Sequence, residues 1–166
     1  TVVDSEFPEF IAPPTDIQVI SEAGLCDAAV DWSEISATDN CGVESIESTH
    51  VSGDRFPVGV TEVATLATDL SGNISTHSFF ITVTDAEVPL VTSTPLDITV
   101  ENDLSVCGAL VSWEEPVASD NCTVEILDSN YLSGDLFEVG VTSITYIATD
   151  SSGNTAEVTF SVTVLD

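Results

Sequence analysis

Acidic side chains recur in this sequence in a pattern suited to holding a hard cation. Asp4 and Glu6 alternate on a segment closed by Pro8, Asp39 stands before Asn40-Cys41, and Asp69 opens the stretch Asp69-Leu70-Ser71-Gly72-Asn73. The same types return 81 residues later as Asp85, Glu87 and Pro89, Asp120 before Asn121-Cys122, and Asp150 through Asn154. Calcium takes six to eight oxygens from carboxylates, carbonyls and water at about 2.3–2.6 Å. If the fold gathers these loops, Asp4, Glu6, Asp39, Asp69 and Asn73 form one ligand set. Asp85, Glu87, Asp120, Asp150 and Asn154 form a second. The competing reading is turn chemistry, with Asp39 and Asp69 closing Asx-turns and Asn73 tolerating a left-handed backbone beside Gly72. Turn chemistry alone leaves the paired acids before the two prolines unexplained, which favours calcium.

Other reactive types give weaker patterns. His50 aligns with Tyr131 and His77 with Val158, so neither histidine belongs to the repeated design, and each reads as an ordinary strand residue. Acids are too numerous for carboxylate pairing to mark a catalytic cleft. No phosphate loop, nucleophile elbow or zinc spacing occurs, so the chain is expected to be non-catalytic. Asn73-Ile74-Ser75 and Asn121-Cys122-Thr123 fit the glycosylation sequon, though both lie in the proposed ion loops. Cys26, Cys41, Cys107 and Cys122 form two pairs with the same 15-residue spacing. In small modules this points to disulfides and an extracellular, oxidising compartment, with free buried thiols as the alternative.

The charge balance narrows the partners. The formal net charge is −28, and Arg55 is the single basic residue. That excludes nucleic acid and anionic lipid as electrostatic partners and leaves cations or basic surfaces. No apolar run approaches the length needed to cross a membrane, and nothing resembles a signal peptide. The acids divide evenly between the two halves, so the charge belongs to the repeat and not to a tail.

The 81-residue offset runs through the chain without insertion or deletion. Trp32 repeats as Trp113, Ser52-Gly53-Asp54 as Ser133-Gly134-Asp135, Val58-Gly59-Val60-Thr61 as Val139-Gly140-Val141-Thr142, and Phe79 as Phe160. The implied organisation is a strand end of a preceding repeat at 1–3, one module at 4–84, another at 85–165, and the start of a further linker at 166. Within the first module the pattern predicts strands over 16–20, 27–32, 43–51, 61–68 and 74–84, with a short edge piece at 56–59 and a loop over 33–42. Alternation at period two, as in Phe79, Ile81 and Val83 against Ser78, Phe80 and Thr82, marks half-buried strands. Asp69 to Asn73 reads as a tight hairpin connection with a glycine available for positive φ. About seven short strands per module, with no helical period, argue for two tandem immunoglobulin-like β-sandwiches. In that topology the entering segment, the Asp39 loop and the Asp69 hairpin share one end of the module.

Each unit resembles a hyalin repeat (HYR) module. The resemblance rests on the opening Asp-x-Glu-x-Pro, Cys-x-Ala before Val-x-Trp, Ala-Thr-Asp-Asn-Cys at 37–41, Ser-Gly-x-x-Phe-x-Val-Gly at 52–59 and Ala-Thr-Asp-x-Ser-Gly-Asn at 67–73. The second unit keeps these motifs with Ser119 in place of Thr38. The resemblance implies extracellular, immunoglobulin-like modules linked with adhesion. It also implies a further cysteine pair whose positions here hold Pro13 or Thr94 and His77 or Val158. With both partners gone, the remaining cysteines are expected to pair as Cys26 with Cys41 and Cys107 with Cys122. Cys26 opens a strand whose far end approaches the Cys41 loop, so such a bridge requires that loop to fold back. Trp32 and Trp113 are expected to be buried beside these bridges.

The expected function is that of a structural repeat segment of an adhesin, stalk or filament, stiffened by calcium at module junctions. Its partners would be neighbouring repeats or like subunits, and other cell-surface proteins or glycans. A loop-mediated recognition module is the alternative. It predicts loops that diverge between repeats, whereas Asp-Asn-Cys and Asp-x-Ser-Gly-Asn are among the best-matched stretches.

Overall fold

The computed structural model describes residues 4–166. The strand end expected at 1–3 lies outside the described residues. The chain resolves into two compact units, Thr1–Asp85 and Ala86–Asp166. Both are all-β among the described residues.

The first unit runs β1 (Glu9–Ile11), β2 (Ile17–Ile20), β3 (Asp27–Ala29), β4 (Ser36–Thr38), β5 (Val43–Ser48), β6 (Arg55–Pro57), β7 (Gly59–Asp69) and β8 (Ile74–Thr84). A four-stranded sheet has the order β2-β8-β7-β5, with β2 parallel to β8 and the remaining pairs antiparallel. The ribbon β3–β6 packs over it, and a second ribbon pairs β1 with β4. The second unit repeats this plan. Its strands are β9 (Leu90–Thr92), β10 (Ile98–Glu101), β11 (Gly108–Leu110), β12 (Val117–Ser119), β13 (Val124–Ser129), β14 (Leu136–Glu138), β15 (Gly140–Asp150) and β16 (Thr155–Leu165).

The long hairpins β7–β8 and β15–β16 form where the alternation is cleanest. Phe79, Ile81 and Val83 are buried, while Phe80 between them is 44 % exposed. Ribbons too short to show a period were not legible. β1 and β4 have three residues each, and β4 lies inside the stretch expected to be a loop. The strand expected over 27–32 stops at Ala29 because its next backbone groups turn to the Ser52-Gly53-Asp54 turn. Val30 N–H donates to Asp54 O (3.1 Å), and Ser52 Oγ accepts from Trp32 N (2.9 Å) while donating to Trp32 O (3.0 Å).

Each core sits between the sheet and its ribbon. In the first unit Ala28, Val30 and Phe56 meet Val63, Phe79, Ile81 and Val83. Trp32 closes this core from a half-buried position, edge-on to Phe79 at 5.5 Å between ring centroids. Trp113 does the same against Phe160 at 5.3 Å, and its indole N–H donates to Tyr146 Oη at 2.8 Å. The indoles are therefore partly buried lids on the core, since one polar edge must reach a partner or water. Tyr146 occupies the position of Thr65, which instead donates its hydroxyl to Ser48 Oγ at 3.1 Å.

Two acids outside the proposed ion loops fasten the parallel strand pair. Asp16 Oδ1 accepts Phe80 N–H at 2.8 Å, and Asp97 Oδ1 accepts Ser161 N–H at 2.7 Å. The Ser161 backbone and hydroxyl donors hold the Asp97 carboxyl below the usual range. In the first unit His77 Nε2 donates to Pro14 O at 2.9 Å and its ring packs on Phe10.

Phe79→Ala should cost about 3–5 kcal/mol, a large share of a small domain's stability. Trp32→Ala should cost less because the indole is only partly buried. Urea denaturation of the two variants checks the order, and an equal or reversed cost would contradict this placement of the core.

Candidate metal centre

The end of the first unit where its chain enters gathers three carboxylates. One oxygen from each of Asp4, Asp39 and Asp69 lies within 4.8 Å of the others. Asp39 is set by the loop between β4 and β5, where its Oδ1 accepts Cys41 N (2.9 Å) and Gly42 N (3.1 Å). Asp69 ends β7 with no access to solvent. Its Oδ1 accepts Ser71 N and Asn73 N, both at 2.8 Å, and its Oδ2 accepts the Asn73 side-chain amide at 2.7 Å. Gly72, at φ +88°, supplies the left-handed turn that aims these donors inward.

Burial raises the Asp69 pKa, but the Asn73 amide and the N–H groups of Asn73, Ser71 and Gly72 outweigh it and hold the carboxyl below its ordinary value. Asp69 is thus an anion inside the protein. Asp4 enters from the opening segment. Its Oδ1 accepts Glu6 N at 3.1 Å, its backbone carbonyl is 3.5 Å from Asn73 Nδ2, and its Oδ2 is buried with no hydrogen-bond partner.

Turn chemistry accounts for part of this arrangement. The Asx-turns expected at Asp39 and Asp69 form, but they leave three acids converging with a buried acceptor unanswered. Unpartnered buried acceptors are rare and costly, and a cation at this point would satisfy this one. Asn73 presents its amide nitrogen to Asp69 and so works as a positioning donor. The Glu6 side chain is exposed, and the converging set among the described residues of this unit is Asp4, Asp39 and Asp69.

The second unit reproduces the loop devices. Asp150 Oδ1 accepts Ser152 N and Asn154 N at 2.8 Å, Oδ2 accepts the Asn154 amide at 2.8 Å, and Asp120 Oδ1 accepts Cys122 N at 3.0 Å. Burial raises the Asp150 pKa and the same donors, led by the Asn154 amide, bring it below the usual range. Asp85, at the close of the first unit, is buried and accepts the Ser21 hydroxyl at 3.3 Å, and Glu87 is half-buried.

The cysteines depart from the expected pairing. In the first unit Cys26 is disulfide-bonded and Cys41 is an exposed thiol; in the second Cys122 is disulfide-bonded and Cys107 is an exposed thiol. Neither intramodular bridge is present, and the reason is distance along the sandwich. Cys26 O accepts Val58 N at 3.1 Å, beside Gly59, which pairs with Val83 at the far end of β8. Cys41 is next to Gly42, whose carbonyl accepts Leu70 N at 3.1 Å at the near end. The eleven residues of β8 separate these ends, on the order of 30 Å at about 3.3 Å per residue. A disulfide needs Cα atoms within about 7 Å. Trp32 and Trp113 accordingly have no bridge of their own module beside them. The Cys41 pKa is raised, first by its hydrogen bond with Asp4, then by desolvation and by the charges of Asp4, Asp39 and Asp69.

Sequence comparison agrees with the repeat pattern. The model of the HYR domain family matches residues 3–83 and again 84–164. Hyalin from Lytechinus variegatus is 36% identical over 170 aligned residues, covering 100% of this chain and 32% of that protein. Hyalin from Strongylocentrotus purpuratus is 36% identical over 168, covering 99% and 14%. The sushi, von Willebrand factor type A, EGF and pentraxin domain-containing protein 1 of Rattus norvegicus is 36% identical over 158, covering 91% and 4%. The chain thus spans a third or less of these relatives.

The depressed pKa values of Asp69 and Asp150 fix the sign of a pH effect. Their stabilisation is full above the unfolded carboxyl value of about 3.9 and is lost as pH falls through the lower folded value. Melting temperature should hold steady from about pH 7 to 5 and fall steeply below about 4. Asp69→Asn should lower the first unit's melting temperature at neutral pH and flatten that acid limb. An unchanged acid limb would show that Asp69 carries no such charge-dependent contact.

Proposed function

This chain belongs to the HYR domain family, and from that premise we propose that it is a structural, non-catalytic segment of an extracellular adhesion protein, with calcium bound at the entering end of its modules. The observation that carries the ion is the convergence of Asp4, Asp39 and Asp69 together with a buried, unpartnered oxygen on Asp4, its Oδ2. Asp4, Asp39 and Asp69 would hold the cation, and Asp85, Asp120 and Asp150 are their sequence counterparts. The ion supplies charge neutralisation. Without it the acids of the entering segment repel those of the two loops, and with it that segment is tied to the hairpin of its module.

A stiffer path from one module to the next is the mechanical consequence. Pro8 and Pro89 restrict φ but leave ψ free, so proline alone does not set the direction of the chain. Support for architecture over recognition comes from the loops, whose Asp-centred hydrogen bonds recur residue for residue in both units.

Calcium affinity of extracellular modules commonly lies near 10⁻⁴–10⁻³ M. At a calcium concentration about 100 times Kd, linkage stabilises the folded state by about 2.7 kcal/mol. The expected result is a higher melting temperature and a longer maximum dimension by small-angle scattering in calcium. Both changes should be reversed by chelator and reduced in Asp4→Asn with Asp39→Asn. Identical melting and scattering with calcium and with chelator would reject the ion.

A further inference from the structure

The two thiols occupy positions whose repeat counterparts are already oxidised. Cys41 corresponds to Cys122 and Cys107 to Cys26, and both counterparts are disulfide-bonded. Each kind of position therefore accepts a disulfide in this fold. Neither thiol can reach the other cysteine of its own unit, because one stands at the entering end of the sandwich and the other at the end where the last strand finishes. In the second unit that finishing end is marked by Val139 N donating to Cys107 O at 3.4 Å and Asn102 N donating to Leu165 O at 2.9 Å. A partner for either thiol has to come from outside its unit.

Exposed apolar side chains stand beside both thiols, at Cys41 together with the carboxylates of Asp4 and Asp39. Near Cys107, Leu104 is 98 % and Val106 42 % exposed. Near Cys41, Leu70 is 66 % exposed, with its N–H bonded to Gly42 O. Large side chains held this open beside a thiol offer apolar surface for a docking partner. We propose that the Cys107 end of one copy of this chain docks on the Cys41 end of a second copy and is locked there by an intermolecular Cys107–Cys41 disulfide.

A contact between two different surfaces of the same chain is heterologous, and when its rotation does not close it propagates as an open fibre. The bond forms by thiol–disulfide exchange with a small-molecule disulfide such as oxidised glutathione. The Cys107 thiolate attacks one glutathione sulfur, forming a mixed disulfide and releasing one glutathione thiolate. The Cys41 thiolate of the second copy then attacks the Cys107 sulfur and releases the other. The two protein thiols are oxidised, the glutathione disulfide is reduced to two thiols, and the two protons pass to them. This inference deepens the structural-segment reading and rests on it, but it does not depend on calcium.

The test incubates the intact 166-residue chain in a glutathione redox buffer, with calcium and with chelator. Products are followed by non-reducing electrophoresis and by peptide mapping with an acid-specific protease, because one basic residue leaves trypsin little to cut. A covalent ladder containing the Cys41–Cys107 peptide is expected in both conditions. Cys41→Ser or Cys107→Ser alone should stop growth at or below dimer, and mixing these two variants should give a heterodimer linked through the remaining Cys107 and Cys41. Chains that stay monomeric, with both thiols free or capped by glutathione, would overturn the proposal. So would a ladder built from Cys41–Cys41 and Cys107–Cys107 links. Loss of the ladder leaves the calcium-dependent scattering of the monomer as a separate test of the array reading.

Discussion

A carboxylate cut off from water stands at the turn of the longest hairpin in each unit, and the arrangement of the entering end depends on it. Asp69 and Asp150 are 0 % and 1 % exposed. Burying an ionised group is costly unless its lone pairs are answered, and here two backbone N–H groups and an asparagine amide answer them. The same bonds fix the five-residue connection and so hold β7 and β8 in register. They also orient Asn73 toward the Asp4 carbonyl, which brings the opening segment back onto the hairpin. One buried charge thus connects sheet pairing to the convergence of the acidic loops.

Charge organises the rest of the molecule as well. Arg55 is spent within its own unit, bonding Glu22 at 3.0 Å and Asp27 at 2.5 Å across the ribbon edge, and these contacts, led by the Arg55 hydrogen bond in each case, lower both acids' pKa values. Asp16 and Asp97 answer backbone donors of the parallel pair. Acids are therefore the local fasteners of this fold, taking backbone N–H groups that a basic or amide side chain cannot satisfy with a charge. What these fasteners leave over is a convergence of carboxylates at the entering end that no cationic side chain among the described residues meets.

Several features were legible in the residues themselves. The span Ile74–Thr84 was readable because one face must be apolar at every second residue, and the exact 81-residue offset revealed two equivalent units. The meeting of Asp4, Asp39 and Asp69 followed from sandwich topology, which puts hairpin, loop and entering segment at one end. The short ribbon β1–β4 was not legible, since three residues carry no period. The cysteine pairing, taken from the resemblance and the loss of a second pair, failed because the loop carrying Cys41 does not fold back to Cys26. Val58 N bonding to Cys26 O puts Cys26 beside the end of β8 far from Cys41, the separation that the strand order had already set against the bridge. The roles of Asn73 and Asn154 as donors to a buried acid were hidden by their equal suitability for a left-handed turn.

Cation binding at the entering end of the module is proposed to run through Asp4, Asp39 and Asp69. An amide-detected NMR titration with calcium tests it most directly, because the N–H groups of Cys41, Gly42, Ser71 and Asn73 are bonded to two of the three carboxylates. Binding should give shifts concentrated at these amides that saturate at about millimolar calcium or below and vanish in Asp4→Asn with Asp39→Asn. Small, non-saturating shifts spread over the acidic surface would contradict it.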